Sequence, residues 1–195
     1  MDDESDDAVE PLTLEIVRER LQKGWEAFSA ATTQLDEALD PLIQARRQKA
    51  AFDSIPWRES LAALSKFLRE YAVPVELPVQ AAGRGRGQAV FAEMLAAVGD
   101  SSRLTQAINW GFQLDPEDQK HLVWAAGKVA GDVKREVHRR VMAGIASDYP
   151  LPYSTAGELV EELRELGDVP GPPEVDFALS LMAYSTPMGE PFAIE

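Results

Sequence analysis

Apolar residues in this chain return at helical intervals, and only one short stretch alternates as a strand would. From Thr13 onward Leu14, Leu21, Phe28, Leu35 and Leu42 stand seven apart, with Val17, Ala31, Ala38 and Ala45 on the neighbouring seam. That spacing predicts one long N-terminal helix with a buried stripe. Gly24 falls on the seam with Trp25 beside it, which lets a second helix approach closely while the indole covers the gap. A helical hairpin inside the domain is preferred to a coiled coil between chains. Pro41 has no amide hydrogen to donate, so a kink or a new helix is expected there.

Ser54-Ile55-Pro56 opens an amphipathic helix whose apolar positions Trp57, Leu61, Leu64, Leu68 and Tyr71 step by four and three. The alternating stretch Val73 to Val79 follows, but Pro74 and Pro78 remove ladder donors, so it reads as an extended connector. Gln88 to Ser147 then holds three helices. Gly99-Asp100-Ser101 supplies a stop followed by a cap, and Asp115-Pro116-Glu117-Asp118 combines a cap, a first-turn proline and first-turn acids. The last and longest of the three carries Leu122, Ala126, Val129, Val133, Val137, Val141 and Ile145 on one stripe. Thr155 and Glu158 have capping-box spacing for a helix through Leu166, closed by Gly167. Val169-Pro170-Gly171-Pro172-Pro173 is a stiff linker before a brief helical pattern at Val175, Phe177, Ala178, Leu181 and Tyr184.

These signals predict an all-α chain, a single domain of about six or seven helices led by the long N-terminal one. The expected divisions are a disordered acidic tail over 1–10, a helical domain over 11–167, and a linker, short helix and irregular C-terminal arm over 168–195.

Composition leaves that picture standing and narrows the setting. A chain of 195 residues, 45% of them hydrophobic, can bury a sizeable core. No apolar run nears the roughly 18 residues needed to span a bilayer, and Met1-Asp2-Asp3-Glu4 lacks the basic and apolar regions of a secretory signal. A soluble, cytoplasmic protein without a membrane partner is therefore expected. The absence of cysteine removes disulfides, thiolate zinc sites and cysteine nucleophiles, and fits a reducing compartment. A net charge of −14 disfavours general attraction to nucleic acid or anionic lipid and favours solubility, a basic partner or a salty cytosol.

The charge is unevenly spread, and the basic exceptions are the candidates for chemistry. Gly83-Arg84-Gly85-Arg86-Gly87 stands just before a helix, where free amides and two guanidinium groups could converge on a phosphate. It is no Walker loop, because no lysine followed by serine or threonine closes it. Lys134, Arg135, Arg139 and Arg140, with His138 among them, form a basic helix face that could track phosphates. The plain alternative is a solvated face paired with acids such as Glu161, Glu162 and Glu165. The acidic tail from Asp2 to Asp7 could screen that face from polyanions. Met94 to Phe112 resembles a helix-turn-helix only faintly, with Ser101, Ser102, Arg103, Thr105 and Gln106 placed for reading DNA.

His121 and His138 are roughly 25 Å apart along one helix and cannot share a metal within one chain. Asp118 and His121 have the offset of a carboxylate-helix metal site, but the second such pair is missing. No serine lies in a recognisable nucleophile elbow. Trp25, Trp57, Trp110 and Trp124 read most simply as core or helix-contact residues, and Trp110, near the end of a short helix, is the candidate for the alternative role of an aromatic anchor for a partner.

The expected function is non-enzymatic: an acidic helical scaffold acting as a protein–protein interaction or regulatory protein, with no catalytic residue, metal or cofactor assigned. Its partner is expected to be another protein, a basic one included. The competing expectation is phosphate or nucleic-acid binding through Arg84, Arg86, Lys134, Arg135, Arg139 and Arg140. A third is an acidic surface that mimics nucleic acid and inhibits a basic protein.

Overall fold

The computed structural model describes residues 13–73, 85–151, 158, 161 and 172–185. They form α1 (Leu14–Gln48), a 3-10 turn (Phe52–Ser54), α2 (Trp57–Glu70), α3 (Gly85–Ala96), α4 (Ser101–Gln113), α5 (Pro116–Asp148) and α6 (Pro172–Ser185). The chain is all-α, with the long N-terminal helix in place and no strand among the described residues. None of the described helices is long and apolar enough to cross a membrane. Of the helix expected over 155–166 only Glu158 and Glu161 are described, and both are helical. The acidic tail over 1–10, the connector over 74–79, Arg84, the linker over 169–171 and the arm over 186–195 lie outside the described residues.

Local chemistry explains where the central helices begin. Gly99 turns the chain with φ 110°, and the Asp100 carboxylate accepts hydrogen bonds of 3.0 Å from the amides of Ser102 and Arg103. Asp115 does the same for Glu117 and Asp118 at the start of α5. Two boundaries depart from expectation, and at Pro41 one of two alternatives is removed. No new helix starts at Pro41: α1 continues through it, with Leu39 and Leu42 on either side fully buried, packing that outweighs one missing amide hydrogen bond. Helix α3 begins at Gly85, so Gly85, Arg86 and Gly87 belong to its first turn and not to a loop. Helix α6 begins at Pro172, so two of the linker prolines occupy its first positions, where a missing amide hydrogen costs little.

By their contacts the residues divide into two compact units, Met1–Ala30 with Val141–Glu195, and Ala31–Arg140. In the first, α1, the end of α5 and α6 bury Val17, Met142, Ile145, Ala146, Leu151, Phe177 and Leu181 together. Gly24 is the contact point anticipated from its seam position. A Cβ there would lie 2.9 Å from Ile145 Cγ2. Trp25 covers the site, its ring 5.4 Å from that of Phe177 in an edge-on arrangement.

The second unit is built on Leu35, Leu39 and Leu42 of α1, Leu61 and Leu64 of α2, Phe91 and Met94 of α3, and Leu122 of α5, all without exposed surface. Burying each leucine contributes about 1.5–3 kcal/mol. Leu39 takes the place that a strict seven-residue repeat assigns to Ala38, because a helix of 3.6 residues per turn drifts off that repeat. Helix α5 buries Val123, Ala125 and Ala130 as well as its expected stripe from Leu122 to Val137, so it is covered on more than one side. Two glycines permit that. At Gly127 a Cβ would lie 2.6 Å from the Leu42 carbonyl oxygen, and at Gly87 of α3 one would lie 2.8 Å from the Leu122 amide nitrogen. Gly127 meets Leu42 while Lys134 meets Asp36, so α1 and α5 run antiparallel in this unit.

Candidate functional site

The basic helix face of α5 is engaged almost throughout. Lys134 pairs with Asp36 and, at 3.3 Å, with Asp40, both on α1. Arg135 pairs with Asp132, and Arg139 and Arg140 each reach Glu136 at 2.7 Å. Arg140 also donates to the Tyr71 carbonyl. Of the acids anticipated as partners, Glu162 and Glu165 lie outside the described residues. Hydrogen bonds from Arg139 and Arg140 hold the Glu136 carboxyl at about 2. Burial pulls the Lys134 ammonium down, but hydrogen bonds to Asp36 and Asp40 outweigh it and leave its pKa above the ordinary lysine value.

Arg86 stands elsewhere. It is exposed in the first turn of α3, and its neighbour Gly87 is buried against Asp118 and Leu122 of α5. The sixteen residues from Asp118 to Lys134 correspond to roughly 24 Å along the helix axis. Arg86 and Lys134 therefore do not form one site. Gly87 is a packing glycine that brings α3 against the α5 backbone, a role the glycine-rich pattern does not reveal.

Beside the line of contact between α1 and α5 lies an open cleft of about 720 Å³. Arg46 and Arg47 line it from α1, and Trp124, Gly131, Lys134, Arg135 and His138 from α5. Arg46 lies over the Trp124 ring, 5.1 Å from its centroid. Arg46 and Arg47 are absent from the sequence-derived candidates. The signal available for them was an arginine pair in the last turn of a helix, which ordinarily reads as a response to the helix dipole. His138 is partly buried, and that burial, reinforced by the Lys134 charge, lowers its pKa while Asp36 opposes the shift.

Helix α4 presents a different surface. Its inner stripe of Leu104, Ala107 and Gly111 is buried, and Gly111 is held so closely against Phe52 and Met94 that a Cβ would lie 2.8 Å from Met94 Cε. The outer stripe of Ser102, Gln106, Asn109 and Gln113 is exposed and uncharged. Trp110, 40% exposed, and Phe112, 53% exposed, flank it on opposite sides, roughly 160° apart around the helix. Phe112 rests edge-on against Phe52 with centroids 4.9 Å apart. Gln119 Nε2 donates to the Gly111 carbonyl at 3.1 Å and fixes the end of the helix. Of the residues considered for DNA reading, Arg103 is tied to Glu93 at 2.7 Å and Thr105 is turned back to the Ser101 carbonyl.

Trp57 is buried and donates to the Phe52 carbonyl at 2.9 Å, while Trp25 and Trp124 are partly buried, so Trp110 is the exposed tryptophan. His121 Nε2 stands 3.7 Å from Glu117, and its Nδ1 has no hydrogen-bond partner among the described residues. No three or more His, Asp or Glu side chains gather at metal-binding distances among the described residues. No family model, curated protein or solved structure matches the chain.

Proposed function

We propose that this chain is a non-enzymatic interaction protein that recognises another protein through the outer face of α4. The observation that carries this is a depletion of charge where aromatic rings are exposed. Charged residues make up 27% of the chain. The thirteen residues of α4 include only Arg103, which is already paired with Glu93. Interface centres have that composition, poor in charge and enriched in tryptophan and phenylalanine. The Asp100 cap, the buried Gly111 and the Phe52 contact hold the helix rigidly, so little ordering entropy is left to lose on binding. A regulatory role in the cytoplasm, for a cysteine-free chain of net charge −14, belongs to the same proposal.

Asparagine and glutamine on an exposed helix can also read adenine, but a DNA reader needs cations to hold the phosphates. Arg103, the one cation on this helix, is committed to Glu93. Protein is therefore the favoured partner class. The test is affinity capture with the wild-type chain, Trp110→Ala and a control change at exposed Lys66, with retained proteins quantified by mass spectrometry and each variant's melting checked. A protein partner held by wild type and Lys66→Ala but weakened at least about tenfold by Trp110→Ala is the expected result. An unchanged set of partners on folded Trp110→Ala, or retention of DNA in their place, would overturn the proposal.

A further inference from the structure

We infer that the cleft between α1 and α5 binds a small molecule carrying phosphoryl groups. It lies on a different surface from the outer face of α4 and does not depend on that surface's role. In a chain of net charge −14, four cations line this cleft, Arg46, Arg47, Lys134 and Arg135, against one carboxylate, Asp40. Lys134 is fixed by Asp36 and Asp40 and forms part of the wall. The other three cations are available at little cost. Arg135 shares its charge with Asp132 across a pair whose side chains are 76% and 44% exposed, and such pairs contribute only about 0–1 kcal/mol. Arg47 is exposed in the last turn of α1, and Arg46 lies over the Trp124 ring. Guanidinium groups arriving from two helices suit the several oxygens of a phosphoryl group, each able to take two parallel hydrogen bonds.

Gly131 supplies an independent argument. Glycine inside a helix costs about 1 kcal/mol relative to alanine, and is kept where a neighbouring backbone needs the space. Gly127, one turn earlier, meets that condition against Leu42. Gly131 does not: a Cβ there would meet only the tip of Arg135, at 3.9 Å. The missing side chain leaves space open in the cleft, whose lining includes Gly131. A volume near 720 Å³ falls within the range of small-molecule sites and exceeds what one phosphoryl group fills. Ile43 and Trp124 offer apolar surface to the remainder of such a ligand.

Calorimetric titration of the full chain with inorganic pyrophosphate at low ionic strength tests the inference. Saturable one-site binding that weakens with added salt is expected. Arg47→Ala should weaken it about tenfold, the loss of roughly one charge-assisted hydrogen-bonded contact. Gly131→Leu should abolish it by placing a side chain in the cleft, with helix content and melting temperature retained. Arg86→Ala, on α3 and outside the lining of the cleft, should leave it unchanged. Absence of saturable binding by the wild type, equal weakening by Arg47→Ala and Arg86→Ala, or full binding by folded Gly131→Leu would each overturn it. Should Gly131→Leu fail to fold, the comparison of Arg47→Ala with Arg86→Ala decides.

Discussion

One substitution made twice on α5, a single turn apart, should change stability in opposite directions. Alanine at either Gly127 or Gly131 removes the backbone-entropy penalty of an interior helical glycine, a gain of about 0.8–1 kcal/mol. At Gly131 nothing opposes the gain, since the added methyl approaches only Arg135 Nη1, at 3.9 Å. At Gly127 the methyl would sit 2.6 Å from the Leu42 carbonyl oxygen, with the Arg46 side chain crowding it as well. An ordinary carbon–oxygen contact is about 3.3 Å, so the two helices must part by roughly 0.7 Å. Overpacking of that kind costs about 1–3 kcal/mol. Backbone atoms cannot rotate away, which places Gly127→Ala in the upper half of that range and its net loss at about 1–2 kcal/mol.

The two variants should therefore differ by about 2–3 kcal/mol, or roughly 4–12 °C in melting temperature for a chain of this size. Urea titration followed by far-ultraviolet circular dichroism is the assay, with midpoints compared at unchanged slope. If Gly127→Ala proves as stable as the wild type, or if both variants shift in the same direction by similar amounts, α1 and α5 do not approach in the manner described. The role assigned to Gly131 in the cleft would fall with it.

Two further outcomes follow from local chemistry. Asp100→Ala leaves the Ser102 and Arg103 amides without their acceptor and should cost about 1 kcal/mol, whereas Asp100→Asn should recover most of it in the same urea titration. His138 has its pKa lowered on folding, by burial first and by Lys134 second. The unfolded chain therefore binds a proton more readily, and the stability His138 contributes is present above its unfolded value near 6.5 and is lost as pH falls below that. His138→Gln should flatten the stability profile as pH falls below about 6.5. An unaltered profile in that window would remove His138 as its source.

Much of the fold was legible because its determinants lie within a few residues of one another. Asp100 and Asp115 cap the amides two and three positions on, and both caps formed as their spacing predicts. The stripe of Trp57, Leu61 and Leu64 turned inward on α2, and the stripe of α5 was buried from Leu122 to Val137. Gly24 and Trp25 were read correctly for a related reason: a glycine on a regular seam implies a close neighbour whichever helix provides it. The candidate surfaces were less legible. The exposed indole of Trp110 could be inferred from its place near a helix end, but the uncharged stripe beside it has meaning only once the inner face of α4 is known.

A helical period, a cap and the absence of a strand pattern are properties of neighbouring residues, so the order of residues alone was enough to determine an all-α chain and most of its helix boundaries. Tertiary packing decided which glycine serves what purpose and which acid meets which base. Gly87, Gly127 and Gly131 look alike in sequence, yet the first two admit another helix and the third opens onto a cleft. Lys134 meets Asp40 across 94 positions of chain, and Arg46 and Arg47 line that cleft with it. Such encounters depend on how two helices cross, which is set by the sum of many side-chain contacts and is written in no local pattern.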